Sequence, residues 1–476
     1  MLYFRQYYLG CLSHASYVVG DTESGRAVVV DPQRDVTQYV ADAAAAGLRI
    51  ERVIETHFHA DFLSGHLELA EATGAVISYG AAADGRVEFP IDPLADGTRL
   101  SLGSTAGEGV EVEVLATPGH TPESISLVVR ERAGDAIPYG VLTGDTLFIG
   151  DVGRPDLLSS DGVPADDLAR QLYRSLHDQL LTLPDATRVF PAHGAGSACG
   201  KHLSSETEST IGAERRTNYA LQPMSEDAFV AAVTDGQPAA PLYFAFAADR
   251  NRRERATLHE SDPVPVLDLD ALLRAQADGA AVVDSRDPAD FAAGHLRGSI
   301  NVGLGGRFAE YAGEVIRAGT PLVLVTEPGH EQEARVRLGR IGFDTVLGAL
   351  DQPLVAFATR PEVVEQSSRL AVDDLIERTK AIPGLQIVDV RGAGEVEADG
   401  MLPGARHVPL AQLLDRMDEL NPALPVVVTC ASGYRSSIAA SVLRAHGFED
   451  VSDLLGGFGA CRVAGMEVEQ PTGTAG

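Results

Sequence analysis

The chain has 476 residues, and its 68 acidic against 38 basic side chains give a formal charge of −30. That length exceeds one ordinary domain, and 45% apolar residues supply real cores, so a multidomain globular protein is expected, not a disordered or membrane one. So negative a balance argues against nucleic acid or a membrane surface as partner, because phosphates are held by clustered Lys and Arg.

The opening MLYFRQYYLGCLSHASYVVGD lacks a basic leader followed by an apolar run, and reads as the first strand of a cytoplasmic protein. The runs RAVVVDP, RVIETH, EVEVLATPGH, YGVLTGD and RVFPAHG then alternate with helical or turn-rich segments, each run ending in a polar loop. A first domain over 1–250 is expected. The charged stretch at 249–263 has no apolar period and reads as a linker.

The remaining chain contains a weak internal repeat. Val283-Asp284-Ser285-Arg286 matches Val388-Asp389-Val390-Arg391, and the strand, loop and helix of PLVLVTEPGH match those of PVVVTCASGY. Two small α/β domains, 264–352 and 367–476, are expected, joined by a second linker at 353–368. Cys11, Cys199, Cys430 and Cys461 are too few and too dispersed to form a disulfide framework, so reduced thiols are expected.

In the first domain the metal-competent residues fall at strand ends: His57, His59 and Asp61 in THFHADF, His120 in TPGHT, Asp145 in LTGDT and His193 in FPAHG. Strand-end loops are where α/β folds assemble sites. The ordered set HxHxD, TPGHT, TGD, PAHG resembles the metallo-β-lactamase superfamily, which implies an αββα sandwich. Dinuclear zinc hydrolases of that superfamily continue the first motif with a further histidine, and here that position is Phe62. A hydrocarbon ring cannot ligate, so a single metal is expected.

His57, His120 and Asp145 form a two-imidazole, one-carboxylate set that suits non-haem Fe(II). The domain resembles the persulfide dioxygenase branch, which implies one Fe(II) per chain on these residues. His59, Asp61 and His193 would stand behind them, and Arg154 and Asp156 of the GRPD string would support the site or the substrate. Cys199 reads as a buried loop thiol.

In the last domain Cys430-Ala431-Ser432-Gly433-Tyr434-Arg435-Ser436 lies between the apolar strand VVVT and a helix. A loop entering a helix N-terminus offers backbone N–H groups that stabilise a thiolate, and Arg435 adds a positive charge. The loop resembles that of rhodanese sulfurtransferases, which implies Cys430 as nucleophile. In the preceding repeat the cysteine position is Glu327 and the arginine position Gln332, so that domain is expected to be catalytically silent.

The domain order resembles persulfide dioxygenase-rhodanese fusions of the CstB type. The resemblance implies oxidation of a thiol persulfide, such as glutathione persulfide, by O2 to sulfite and thiol. Cys430 would pass sulfane sulfur to or from sulfite and thiosulfate, and the setting would be sulfide detoxification in a homodimer or homotetramer. Two alternatives stand beside it: a glyoxalase II-like dinuclear zinc thioester hydrolase, disfavoured by Phe62, and a sulfur carrier without oxygen chemistry.

Overall fold

The computed structural model describes residues 1–105, 107–157 and 162–470, so the last residues of the expected 367–476 domain lie outside the description. It divides into two compact units, Met1–Gln237 with Phe244–Glu260, and Pro238–Tyr243 with the residues from Ser261 onward.

In the first unit the apolar runs become strands of two six-stranded sheets. One sheet follows chain order through Leu2–Leu9, His14–Asp21, Arg26–Val30, Arg49–Ile54, Val76–Gly80 and Asp92–Leu94. The other is ordered Ser209–Thr210, Arg188–Pro191, Gly140–Gly144, Ile125–Arg130, Glu111–Ala116, Arg99–Ser101. Side chains alternate between the faces of a strand, so a strand buried on both faces reads as an unbroken apolar run. Val28 and Val30 enter the core between the sheets, whereas Ala27 and Val29 enter a core shared with the helices Thr37–Ala45 and His66–Thr73. Across the other sheet, Val128, Val141 and Val189 meet the helices Ala165–Arg174 and Glu226–Thr234. The result is a helix–sheet–sheet–helix sandwich.

The ladder directions place the chemistry. Gly140–Gly144 is parallel to Arg188–Pro191, and two antiparallel steps make Glu111–Ala116 parallel to both. The loops bearing His120, Asp145 and His193 therefore leave the sheet at one edge.

The second unit holds two five-stranded parallel sheets of identical topology. One orders Val266–Leu267, Val346–Leu350, Leu322–Val325, Ala281–Asp284, Ile300–Asn301, and the other Ser368–Leu370, Val451–Leu454, Val426–Thr429, Gln386–Asp389, Arg406–His407. The repeat extends to side chains. Arg286 pairs with the Asp284 carboxylate at 2.5 Å and donates to Gly294 O at 2.9 Å, while Arg391 does the same with Asp389 at 2.7 Å and Gly400 O at 2.6 Å.

Both segments that read as linkers are structured. Residues 249–260 belong to the first unit, where the Asn251 amide donates to His59 O and Phe62 O at 2.8 Å each and Arg255 pairs with Glu68 at 2.5 Å. The segment 353–368 contains the helix Pro353–Thr359, whose Phe357 joins the core of the preceding domain. Side-chain hydrogen bonding fixes the first and one aromatic anchor the second, and neither leaves an apolar period. Among the described residues no helix is long and apolar enough to cross a membrane.

Candidate metal centre and thiol loop

The loop after Arg49–Ile54 carries His57 and His59, both buried, beside His120 and Asp145. His57 Nε2 lies 3.7 Å and His120 Nε2 3.5 Å from Asp145 Oδ2, with the two rings perpendicular. All three ligand atoms fall within 4.8 Å of one another. The other nitrogen of each ring is fixed by a hydrogen bond. His120 Nδ1 is 2.8 Å from Arg154 O, and a carbonyl only accepts, so Nδ1 carries the proton and Nε2 presents a lone pair.

His57 Nδ1 lies 2.9 Å from Thr56 Oγ1, whose own proton goes to Asp31 Oδ2 at 2.9 Å, giving His57 the same tautomer. Burial holds His57 and His120 below the usual imidazole range, so both are neutral. His57 Nε2 and Asp145 Oδ2 are buried polar atoms with no hydrogen-bond partner among the described residues. A buried, convergent, unpaired donor set fits a divalent cation.

His193 stands behind the set, its Nδ1 2.7 Å from Asp145 Oδ1 and its Nε2 2.7 Å from Asp61 Oδ2. Burial opposes its charge, but the two carboxylates raise it well above the usual range, so the ring is an imidazolium. Burial pushes Asp145 up, and His193 outweighs it to keep the carboxylate ionised. His59 Nε2 is 3.1 Å from Asp31 Oδ1, and the ligand atoms of His59, Asp61 and His193 form a second group within 4.8 Å. Beside that group Phe62 is fully buried, its ring 4.5 Å from His59 and 4.0 Å from His14.

Arg154 does not face open solvent. It pairs in bidentate fashion with Asp156 at 2.7 Å and donates to Ala198 O at 3.1 Å, tying the 198–199 loop to His120. Gly153 lies so close that a Cβ would stand 1.9 Å from Asp145 O, which only glycine allows. Cys199 is a buried thiol, and its Sγ falls within 4.8 Å of the Asp145 and His193 ligand atoms, so this loop cysteine borders the candidate metal centre. Burial, then Asp61 and Asp145, push its thiol well above the usual range.

Three contributors carry no motif. Asp31 accepts from Thr56 N at 2.7 Å in a left-handed conformation, φ 50°, a position aspartate tolerates better than most residues. Glu55 is buried against Asp31, and burial raises its carboxyl well above the usual range. His14 is fully buried between His59 and His193, with neither ring nitrogen hydrogen-bonded among the described residues. The one sequence signal for it is a histidine at the start of an otherwise apolar strand.

At the thiol loop, Cys430 is 1% exposed, so the sulfur is sheltered where it meets the helix Tyr434–Ala445. Gly433 N donates to Cys430 Sγ at 3.1 Å, and Ser436 Oγ is 3.6 Å away. Gly433 is left-handed, φ 104°. The loop rests on the turn at Gly456-Gly457: Phe458 N donates to Cys430 O at 2.6 Å, and a Cβ on Gly457 would stand 2.2 Å from that oxygen. Arg435 is engaged by Glu395 through two 2.6 Å bonds, and Glu395 also accepts Gly392 N–H. Its charge is therefore shared with a carboxylate. Ser432 is exposed, Ala431 and Tyr434 are half-buried, and Glu327 of the preceding domain is exposed.

A sandwich with histidines and carboxylates buried at one sheet edge defines a metal-dependent hydrolase or dioxygenase class, followed here by two α/β domains of which one presents a thiol. The chain belongs to the metallo-beta-lactamase superfamily, whose model matches residues 9–193, and the rhodanese-like domain model matches 268–357 and 371–462. It is 31% identical over 244 residues to the mitochondrial persulfide dioxygenase ETHE1 of Bos taurus, covering 50% of this chain and 83% of that protein. It is also 31% identical over 188 residues to the cytoplasmic hydroxyacylglutathione hydrolase of Arabidopsis thaliana, covering 39% of this chain and 66% of that protein.

Among solved structures, a metallo-beta-lactamase from Staphylococcus aureus shares 32% identity and a TM-score of 0.65, over 74% of this chain and 99% of that one. The fold is thus the expected sandwich followed by two rhodanese-like domains, with persulfide dioxygenase homologues for the first.

Proposed function

We propose that the protein is a persulfide dioxygenase fused to a sulfurtransferase. The observation that carries this reading is the convergent set of His57 Nε2, His120 Nε2 and Asp145 Oδ2, with the hydrocarbon ring of Phe62 where a further ligand would be needed to complete a second ion's site. A non-haem Fe(II) ion, one per chain, would be held by these three atoms and would supply the redox chemistry that O2 requires. The overall reaction is RSSH + O2 + H2O → RSH + SO3²⁻ + 2H⁺, in which the sulfane sulfur loses four electrons to O2.

The protein's own groups have distinct tasks. The imidazolium of His193 keeps Asp145 ionised and its Oδ2 turned toward His57 and His120. Thr56 and Arg154 O fix the tautomers, and the buried walls exclude bulk water from a reactive persulfide. The thiol of Cys199 lies within reach of the same space.

At the second site, Cys430 as thiolate attacks the outer sulfur of thiosulfate, forming Cys430–S–S⁻ and releasing sulfite. The reverse reaction makes thiosulfate from the sulfite formed at the first site. Gly433 N–H and the start of the Tyr434–Ala445 helix stabilise the sulfur anion. In this reading Arg435 holds Glu395 and the loop in place. The substrates are low-molecular-weight persulfides such as glutathione persulfide, and the setting is the cytoplasm.

A dinuclear hydrolase has one observation in its favour, the second group of His59, Asp61 and His193. The two are separated by loading the protein with Fe(II) or zinc and offering glutathione persulfide or S-lactoylglutathione. O2 uptake by the Fe(II) form without thioester cleavage by either form supports the dioxygenase, and cleavage by a form with two zinc ions per chain supports the hydrolase. Cys430→Ser is expected to keep O2 uptake while sulfite accumulates in place of thiosulfate.

A further inference from the structure

The two rhodanese-like domains meet at the loop that carries Cys430. Tyr434 directly follows Gly433, the residue whose N–H reaches the cysteine sulfur. The Tyr434 hydroxyl lies 2.7 Å from Gly303 O and 3.0 Å from Gly305 O, and its ring meets Tyr311 edge-on at 5.5 Å. All three partners belong to the preceding domain, on the turn that leads into the helix Phe308–Val315 and on that helix.

The turn that bears the accepting carbonyls is braced at the neighbouring peptide groups. Arg337 donates to Leu304 O and, at 2.6 Å, to Gly306 O. Leu304 N donates to Ser285 O at 2.9 Å, and the Asn301 amide donates to Asp284 O and Arg286 O at 3.0 Å each. This braced turn thus accepts from a hydroxyl one residue away from the N–H that contacts the nucleophile. A separate bond, Asn301 N to Ser441 Oγ at 2.9 Å, joins the domains two turns further along the Tyr434–Ala445 helix.

We propose that the domain with Glu327 in place of a cysteine is a positioning platform for the catalytic loop of its neighbour, with Tyr434 as the positioning residue. This rests on the sulfurtransferase reading of Cys430. The rigid carbonyls hold the Tyr434 side chain, the side chain holds the 433–434 peptide, and the Gly433 N–H stays aimed at Sγ. Loss of the Cys430 counterpart in the first repeat leaves this task untouched, because it uses backbone carbonyls and an aromatic ring.

The test uses the full chain and three proteins: wild type, Tyr434→Phe, which keeps the ring and removes the O–H, and Ser441→Ala, which removes a different bond between the domains. Sulfur transfer from thiosulfate to cyanide gives kcat and KM, and mass spectrometry of the Cys430 peptide gives its rate of alkylation by iodoacetamide. Tyr434→Phe is expected to lower kcat and alkylation about three- to tenfold, the range of one net hydrogen bond. KM for thiosulfate and the melting temperature stay near wild type, and Ser441→Ala transfers sulfur at the wild-type rate.

Wild-type kcat and alkylation in Tyr434→Phe would overturn the proposal, as would an equal fall in both variants, which would mark a loosened interface. Wild-type protein whose Cys430 takes up no sulfur from thiosulfate would instead remove the sulfurtransferase reading itself, and the proposal with it.

Discussion

Replacing Thr56 by valine keeps the shape of the side chain and removes one oxygen. That oxygen accepts from His57 Nδ1 and donates to Asp31, each at 2.9 Å in a buried setting. In the variant His57 loses the bond that fixes its tautomer, while Asp31 keeps the Thr56 N–H at 2.7 Å, since that donor is backbone. The damage therefore falls on the ligand ring more than on the fold. Loss of a partner that orients a metal-bound histidine costs about 10–100-fold in metal affinity, or roughly 1.4–2.7 kcal/mol. Anaerobic competition against a chromogenic Fe(II) chelator measures it directly, with Thr56→Ser as a variant that keeps the hydroxyl and should stay near wild type. Equal affinity in wild type and Thr56→Val, at unchanged circular dichroism, would refute the role given to this oxygen and to His57 as a ligand.

Three further outcomes are expected. Phe62→His places an imidazole beside His59, Asp61 and His193, and mass-spectrometric metal analysis after zinc loading should rise from one to two ions per chain; two ions in wild type would show that Phe62 is no block. Gly457→Ala puts a Cβ 2.2 Å from Cys430 O at φ 56°, where an L residue costs about 1–2 kcal/mol before the clash is counted. Sulfur transfer should fall more than about tenfold, since 1.4 kcal/mol is already a factor of ten, with O2 uptake intact, and full transfer would contradict the packing described for the loop.

Glu68 is buried against Arg34 and Arg255, and its carboxyl sits down at about 2. A carboxyl lowered on folding stabilises the protein above its usual range and loses that contribution as pH falls toward the folded value. The loss therefore spans about pH 5 to pH 2 and is worth about 3 kcal/mol. Acid unfolding followed by circular dichroism should shift to higher pH on neutralising Arg255 with Arg255→Gln, and an unchanged midpoint would contradict the pairing.

His57, His120 and Asp145 were legible because apolar periodicity marks strand ends, and each of these residues follows one. The tandem domains were legible because their strands and VDxR segments repeat in order. Thr56, Asp31 and His14 were not, since their roles depend on distant strands meeting at one edge, and short polar side chains leave no period. Charge composition also misled. Asn251 and Arg255 sit in a stretch with no apolar pattern, yet Asn251 fastens it to His59 and Phe62 and Arg255 to Glu68 on the helix His66–Thr73. Arg435 read as a positive charge beside the thiolate, and its pairing with Glu395, on the helix Ala393–Asp399, arises only once the loop and that helix meet. Cys199, six residues past His193, read as a buried loop thiol, and it is buried; that its sulfur comes within 4.8 Å of the Asp145 and His193 ligand atoms depends on the loop that Arg154 holds.

In the proposed reaction one iron held by His57, His120 and Asp145 lets this chain oxidise a persulfide with O2. The most direct test is O2 consumption by anaerobically Fe(II)-loaded protein given glutathione persulfide, beside His120→Ala, with iron content and sulfite measured on both. The expected result is one iron per chain, one sulfite formed per O2 consumed, and loss of both iron and uptake in the variant. Iron-loaded wild type that consumes no O2, or a variant that consumes it at the wild-type rate, would contradict it.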